Sequence, residues 1–482
     1  MTVAAPPASV RTGWVAAVLM TVVTTILAGV DWPTGLLVLI LLVALFAGAI
    51  VGYLPVFLGV LVVRSSLDAF TDVGLHVGAM RLNVPAAAAL FLVVFAATHR
   101  VHELLLGASQ PLTRLERAFA LWLGFLALYV FVGARHYGDW GVGLREWTRL
   151  ASIGCVLYLA RTFAAQGDGR AILVAMFLSL GAPLAVATWQ WTTGSAPLYA
   201  GVPRVTGTFF HPITLSVYLV FFMALTVWRM RKGSRWLLWT TLLLLEGAAL
   251  VSAYSLTAVA LIAVVAGYLA LRLPGRLRLA AVVGGVALVT VFAVSSVGAG
   301  RLAELKATGS IERVIATNHS TNSLTWRFWH WWTLWQASRG TRWIGAGLGT
   351  SQPYVSPIRY EPHNDVLRVF VETGPLGMVL YLGLFLLLLR VFDAQPGEDI
   401  TEFGSVRPYA KAVGVGLFVV NFFDNIVTST ALQYYLWSLA GLLIGAEQSG
   451  VGSSVPSERA SFPVAADVAS ARRDPGGHAQ PS

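Results

Sequence analysis

The sequence predicts an all-α fold: a polytopic bundle of about 12–14 transmembrane helices, with one long extracytoplasmic loop that contains amphipathic helices. Three observations predict it. Hydrophobic residues make up 56% of the 482 and charged residues 12%, with a mean hydropathy of +0.71, whereas soluble domains carry about 25% charged residues. Apolar runs long enough to cross roughly 30 Å of hydrocarbon recur from Val15 to Ala446. The one substantial polar insert, Gly298 to about Thr373, holds a tryptophan-dense stretch in its middle.

The runs follow in order. Trp14–Val30, behind a lone Arg11, resembles a signal peptide, but the many later spans favour an uncleaved first helix. The apolar stretch from Gly35 to Val63 divides at Gly52-Tyr53-Leu54-Pro55, because glycine and proline break a helix there. That gives spans near 35–49 and 50–63. Runs near 84–97, 118–134, 148–164, 170–191, 212–229, 236–252, 255–272 and 279–297 precede the insert, and runs near 374–391, 411–424 and 429–446 follow it. Residues 1–446 are thus read as one membrane domain. Beyond it, residues 447–482 lack apolar periodicity and read as a disordered cytoplasmic tail.

Orientation follows from the basic connections. An N-terminus in the cytoplasm puts Arg100, Arg114 and Arg117, then Arg229, Arg231, Lys232 and Arg235, then Arg272, Arg276 and Arg278 inside, in agreement with the positive-inside rule. The same count puts Tyr199 to Pro212 and the insert, about 298–373, outside. Within the insert, Trp326, Trp329, Trp331, Trp332 and Trp335 predict a helix at the membrane interface. The net charge of +10 is scattered between apolar runs, which argues against nucleic acid as a partner. Cys155, the only cysteine, excludes an intramolecular disulfide and reads as a small packing residue.

The most informative stretch is His363-Asn364-Asp365, continuing to Glu372-Thr373-Gly374-Pro375-Leu376-Gly377. Upstream lie Arg204-Val205-Thr206-Gly207-Thr208-Phe209, then Trp326-Arg327-Phe328-Trp329, then Gly345-Ala346-Gly347-Leu348-Gly349. The glycine run has no preceding strand, so it reads as a tight turn instead of a dinucleotide loop. In this order the pieces resemble the O-antigen ligase family, which includes related polysaccharide polymerases. His-Asn, nine residues, and Gly-x-x-Gly opening a span carry the resemblance, together with Arg-x-x-Gly-x-Phe and the arginine on an aromatic helix. It covers about 204–390. Where the family often has a Ser-Arg pair in a middle span, this chain has Ser252-Ala253-Tyr254-Ser255-Leu256-Thr257, so no role passes to an arginine there.

The resemblance implies a glycosyltransferase of a bacterial inner (cytoplasmic) membrane. Such an enzyme moves a glycan from a polyprenyl-diphosphate-linked donor to a glycan, lipid or protein acceptor, with inversion and without metal or other cofactor. The residues suit that chemistry. Arginine binds phosphate oxygens through a planar, always-charged fork, so Arg204 and Arg327 are the expected diphosphate contacts. Histidine accepts a proton near neutral pH, so His363 is the expected base. Asn364, Glu372, Arg339 and Asp424 are the expected substrate-binding residues. Asn364 reads equally as a helix cap, and Gly374 and Gly377 read as close-packing positions. Glu246, inside a span, reads as functional or as a protonated or paired residue of the bundle. No His-Glu-x-x-His or Asp-x-Asp motif points to a metal. A polymerase is the nearest alternative, and a transporter or flippase the more distant one.

Overall fold

The computed structural model describes residues 52–77, 80–199, 201–232, 235–272, 275–294, 299–300, 303, 323–393 and 403–452. The expected spans near 14–30 and 35–49 lie outside these residues, as does the tail beyond Gly452. The described residues are mostly helical, and the strands among them form two short antiparallel hairpins. Before the insert the helices are α1 (Tyr53–Leu67), α2 (Val84–Leu105), α3 (Arg114–Tyr137), α4 (Trp140–Ala165), α5 (Gly169–Leu178), α6 (Gly181–Thr193), α7 (Pro212–Arg231), α8 (Trp236–Ser252), α9 (Leu256–Arg272) and α10 (Gly275–Val294). Then come α11 (Ser323–Ala337), α12 (Asp365–Val391), α13 (Arg407–Val420) and α14 (Thr430–Gly452). The hairpins pair β1 (Gly74–Val77) with β2 (Met80–Asn83) and β3 (Leu198–Tyr199) with β4 (Val202–Pro203).

Local chemistry sets several helix starts. Gly52, at φ 103, precedes α1, so the helix begins within the Gly-Tyr-Leu-Pro segment. Asn83 caps α2 by accepting from Ala86 N at 3.0 Å. Thr113 and Glu116 close a reciprocal capping box on α3. Asp139 caps α4 through Gly141 N at 2.8 Å. The span expected near 170–191 bends between α5 and α6, and α14 runs six residues past its expected end at Ala446.

Among the described residues six helical stretches are long and apolar enough to cross a membrane: 53–70, 84–105, 114–137, 169–193, 212–231 and 365–391. Helices α8 and α9 are apolar but have 17 residues each. Helix α4 carries Arg145, Glu146, Arg149 and Arg161, yet its middle is buried in the bundle. Its main partner is α14. The two backbones approach closely because Gly441 and Gly445 face α4: a Cβ there would stand 2.5 Å from Leu157 O and 2.3 Å from Arg161 O. Small residues four apart permit such contacts between membrane helices.

The two ends of the bundle differ. At one, Arg161 pairs with Glu116 at 2.9 Å and reaches Gln110 at 2.9 Å and Gln448 at 3.4 Å, while Arg231 donates to Tyr409 Oη at 3.0 Å. The basic connections are gathered here. At the other end lie the β3–β4 hairpin, α11 and the start of α12. Helix α12 is broken at Gly374 (φ 70, ψ −175), just before Pro375. A nine-residue arm therefore precedes the long apolar segment expected to start there.

The glycine-rich turn 345–349 docks this arm. Ala346 N and Gly347 N donate to Val371 O and Glu372 O, both at 2.9 Å, and Leu348 N donates to Tyr129 O at 3.0 Å. Gly347, at φ 115, leaves no room for a side chain, since a Cβ would stand 2.2 Å from Gly133 Cα. Gly347→Ala should therefore destabilise the protein by about 3 kcal/mol or more, from backbone strain plus overpacking. Gly340→Ala, where a Cβ meets nothing within 4 Å, should leave the thermal midpoint in detergent nearly unchanged. Equal midpoints for both variants would contradict the packing described.

Candidate functional site

The Arg204 segment is shaped by its own backbone. After the β3–β4 hairpin, Arg204 N donates to Pro197 O at 2.9 Å and Val205 N to Ser252 O at 3.1 Å. Thr206 N and Gly207 N both donate to Gln190 Oε1, at 2.8 and 2.9 Å. Gly207 adopts φ 59, and a Cβ there would stand 2.8 Å from Pro183 O, so the turn requires glycine. The Arg204 side chain is 8% exposed. Its Nε donates to Ala253 O at 2.9 Å. The Ser252 to Thr257 segment, which lacks the family's arginine, thus supplies backbone acceptors to Arg204 and Val205.

Helix α11 supplies Arg327. Its Nη1 donates to Phe423 O at 2.6 Å and its Nη2 to Asp424 Oδ2 at 3.3 Å. The tryptophans of α11 make contacts within the protein. Trp331 Nε1 donates to Pro362 O at 2.6 Å, Trp335 stacks on Phe370 at 5.5 Å, and Trp326 meets the His363 ring at 5.7 Å. The helix is clamped onto the arm of α12 and the residues before it.

His363 stands immediately before that arm with φ 49, a strained left-handed conformation for a residue with a Cβ. Asn364 caps α12, its Oδ1 accepting from Leu367 N at 2.8 Å. His363 Nδ1 lies 3.2 Å from Asp424 Oδ1. Asp424 follows α13 in a turn held by Asp365, which accepts from Ile426 N at 2.5 Å and Val427 N at 2.7 Å. Its carboxylate also accepts from Thr257 Oγ1 at 2.5 Å and Asn425 N at 2.9 Å. Burial alone would raise the Asp424 pKa, but the Arg327 guanidinium, then His363 and Thr257, hold it well below the usual carboxylate range. An ionised carboxylate only accepts hydrogen bonds, so Nδ1–H donates, and in the neutral ring the lone pair is on His363 Nε2.

The expected residues separate into those the structure brings together and those it does not. Arg327, His363 and Asp424 form one contact cluster. Asp424 is 2% exposed and bonded to protein donors, so it acts on its neighbours. Asn364 is occupied as a cap. Glu372 is also spoken for: it accepts from Gly349 N at 3.0 Å, Ser351 Oγ at 2.5 Å and Arg368 Nε at 3.1 Å. Arg368 continues to Glu146 at 2.8 Å, and Glu146 to Arg149 at 2.5 Å. This buried relay ties the glycine turn to α4. Arg339 is exposed past the far end of α11 from Arg327, about 18 Å along a helix axis by its twelve-residue separation. Among the described residues no three His, Cys, Asp or Glu side chains converge as metal ligands.

Sequence reasoning passed over His211, Thr257 and His330. His330 is fully buried, with Nε2 3.0 Å from Ser356 Oγ, and its ring lies 5.0 Å from Trp326. His211 caps α7, Nδ1 accepting from Ile213 N at 3.2 Å. Burial, followed by the charge of Arg204, lowers its pKa to about 4. Proline after His211 was the only sequence signal, since proline favours the first turn of a helix. Thr257 had no signal: its relation to Asp424 spans 167 residues of chain.

A helical membrane bundle that gathers arginines, histidines and a buried carboxylate at one end defines a protein with a polar site at a membrane face. Residues 236–382 match the family model described as O-antigen ligase. The match takes in Arg327, His363, Asn364 and Glu372, while Arg204 and His211 precede it and Asp424 follows it. No curated protein matches the chain.

Two histidines near the site should be visible in acid. Burial first, then the nearby His363 charge, lowers His330 to about 4, as His211 is lowered. Both sit below the unfolded value of about 6.5. The unfolded chain therefore binds these protons first, and the stability present above about pH 6.5 is lost as pH falls through about 4. The thermal midpoint should drop over this window in the parental protein and drop less in His330→Gln. An identical pH dependence in the two would show that His330 is not kept neutral by folding.

Proposed function

We propose that the chain is a membrane glycosyltransferase that moves a glycan from a polyprenyl-diphosphate-linked donor to an acceptor hydroxyl on the extracytoplasmic face. The observation that carries the reading is the Asp424 carboxylate, which accepts from Arg327 and His363 together. It fixes a histidine with a free Nε2 beside a guanidinium suited to phosphate. The acceptor hydroxyl gives its proton to His363 Nε2 as its oxygen bonds to the anomeric carbon. The bond from that carbon to the diphosphate breaks, and the electron pair leaves on the diphosphate oxygen. Arg327 and Arg204 stabilise that growing charge with bidentate-capable forks. A single displacement of this kind inverts the anomeric centre. The donor's prenyl chain lies in the bilayer, and the protein sits in a bacterial inner membrane.

A polymerase that extends a lipid-linked repeat uses the same chemistry on a different acceptor. A deletion strain that accumulates full-length lipid-linked chains supports ligation, while one that accumulates single repeats supports polymerisation. Gathering of the polar groups at one end favours either enzyme over a transporter with a midplane site.

In a transfer assay with purified protein, His363→Ala should lower the rate by about 10²–10⁴, the usual contribution of a general base, with donor binding retained. Arg204→Lys and Arg327→Lys should weaken transfer although they keep the charge, because lysine lacks the planar fork. Parental rates in all three variants would end this assignment.

Sidedness is checked separately in a Cys155→Ser background. A cysteine replacing the exposed Gln352 should react with an impermeant thiol reagent applied from outside, and one replacing the exposed Leu106 only after permeabilisation. The reverse pattern would invert the topology.

A further inference from the structure

His211, at the start of α7, is a histidine at this end of the bundle that the mechanism above leaves unused, and only one of its two ring nitrogens is engaged in the capping bond. It lies within electrostatic reach of Arg204, Asp424, His363 and Arg327 together. Tyr199 builds its surroundings. The Tyr199 ring meets His211 edge to face at 5.1 Å, Arg204 Cζ lies 5.9 Å from the same ring, and Tyr199 Oη donates to Phe210 O at 2.7 Å. The hairpin therefore fixes Arg204 and His211 on a common wall.

The hydrogen bond at the start of α7 decides the tautomer. A backbone N–H can only donate, so the Nδ1 that faces Ile213 N at 3.2 Å must hold its lone pair. A neutral imidazole then carries its proton on Nε2. Capping alone does not account for histidine here, since Asp, Asn, Ser and Thr are the preferred residues at that position. An aspartate would cap well but would place a second carboxylate among the arginines. Histidine caps through one nitrogen and offers a donor, without negative charge, through the other.

We propose that His211 is a donor-binding residue whose Nε2–H hydrogen-bonds the diphosphate held by Arg204 and Arg327. The inference rests on the glycosyltransferase reading and adds a neutral donor to its two cations. No proton is transferred: the ring keeps Nε2–H before and after the diphosphate leaves.

Three variants separate this role from capping. His211→Asn retains both a capping oxygen and an N–H group, His211→Asp retains the cap but brings negative charge, and His211→Ala retains neither. The probes are inorganic pyrophosphate and a short-chain polyprenyl diphosphate, titrated against purified full-length protein, alongside KM for the lipid-linked donor and for the acceptor. His211→Ala should weaken diphosphate binding and raise the donor KM about tenfold, the usual size of a hydrogen bond to a charged group, and leave the acceptor KM alone. His211→Asn should stay within about threefold of parental. His211→Asp should bind neither probe measurably while keeping its thermal midpoint. If it fails to fold, the contrast between alanine and asparagine decides.

Parental affinity for both diphosphates in His211→Asp or His211→Ala, or an equal loss in alanine and asparagine, would overturn the inference and leave the enzyme reading standing. A parental protein that binds neither diphosphate would overturn both.

Discussion

The candidate site depends on one buried carboxylate. Asp424 accepts hydrogen bonds from Thr257 on α9, from Arg327 on α11, from His363 before α12 and from the backbone of its own turn. Three of these donors come from segments remote in sequence. A negative charge at 2% exposure is tolerable only when paired and hydrogen-bonded. Folding must therefore bring those donors together, and the groups that make Asp424 bearable are the same groups that do the proposed chemistry. The carboxylate orients His363 through Nδ1 and leaves Nε2 uncommitted among the described residues. It also restrains an arginine whose long side chain would otherwise sample many rotamers.

A second buried network supports the first from behind. Glu372, Arg368, Glu146 and Arg149 link the glycine turn, the arm of α12 and α4. Arg149 Nη1 also reaches Thr430 Oγ1, at 3.3 Å, and the Val427 carbonyl, in the turn that carries Asp424. Hydrocarbon offers no partner to a stray charge, so a polar relay within a bundle must close on itself. Here it closes between the loop and the helices. The break at Gly374 serves the same end, because the arm before it sets His363 and Asp365 against the 421–427 turn while the segment after it stays apolar.

Much of this was legible in residue order. Arg204, Arg327 and His363 announced themselves through arginine beside a glycine turn, arginine on an aromatic helix, and His-Asn ahead of Gly-x-x-Gly. Glu372 was read as substrate-binding because it belongs to the same stretch, but its two oxygens serve Gly349, Ser351 and Arg368. Arg339 was expected among the substrate-binding residues, yet it lies exposed beyond the end of α11 opposite Arg327. The tryptophans predicted an interfacial helix by composition, while composition cannot say which of their faces the protein covers. The Gly441–Gly445 pair on α14 carried a packing signal that a search for chemistry did not look for.

The sequence by itself determined the helical membrane class, the position of most spans, the concentration of basic residues at one end, and the residues able to bind phosphate or take a proton. These follow from composition and local patterning, which act over one helix or one turn. Only the tertiary structure decided that Asp424 orients His363 and restrains Arg327, that Thr257 completes its shell, that Glu372 braces the glycine turn, and that His211 joins Arg204 on one wall. Each of these depends on side chains from helices far apart in the chain, and no local period encodes which helix faces which.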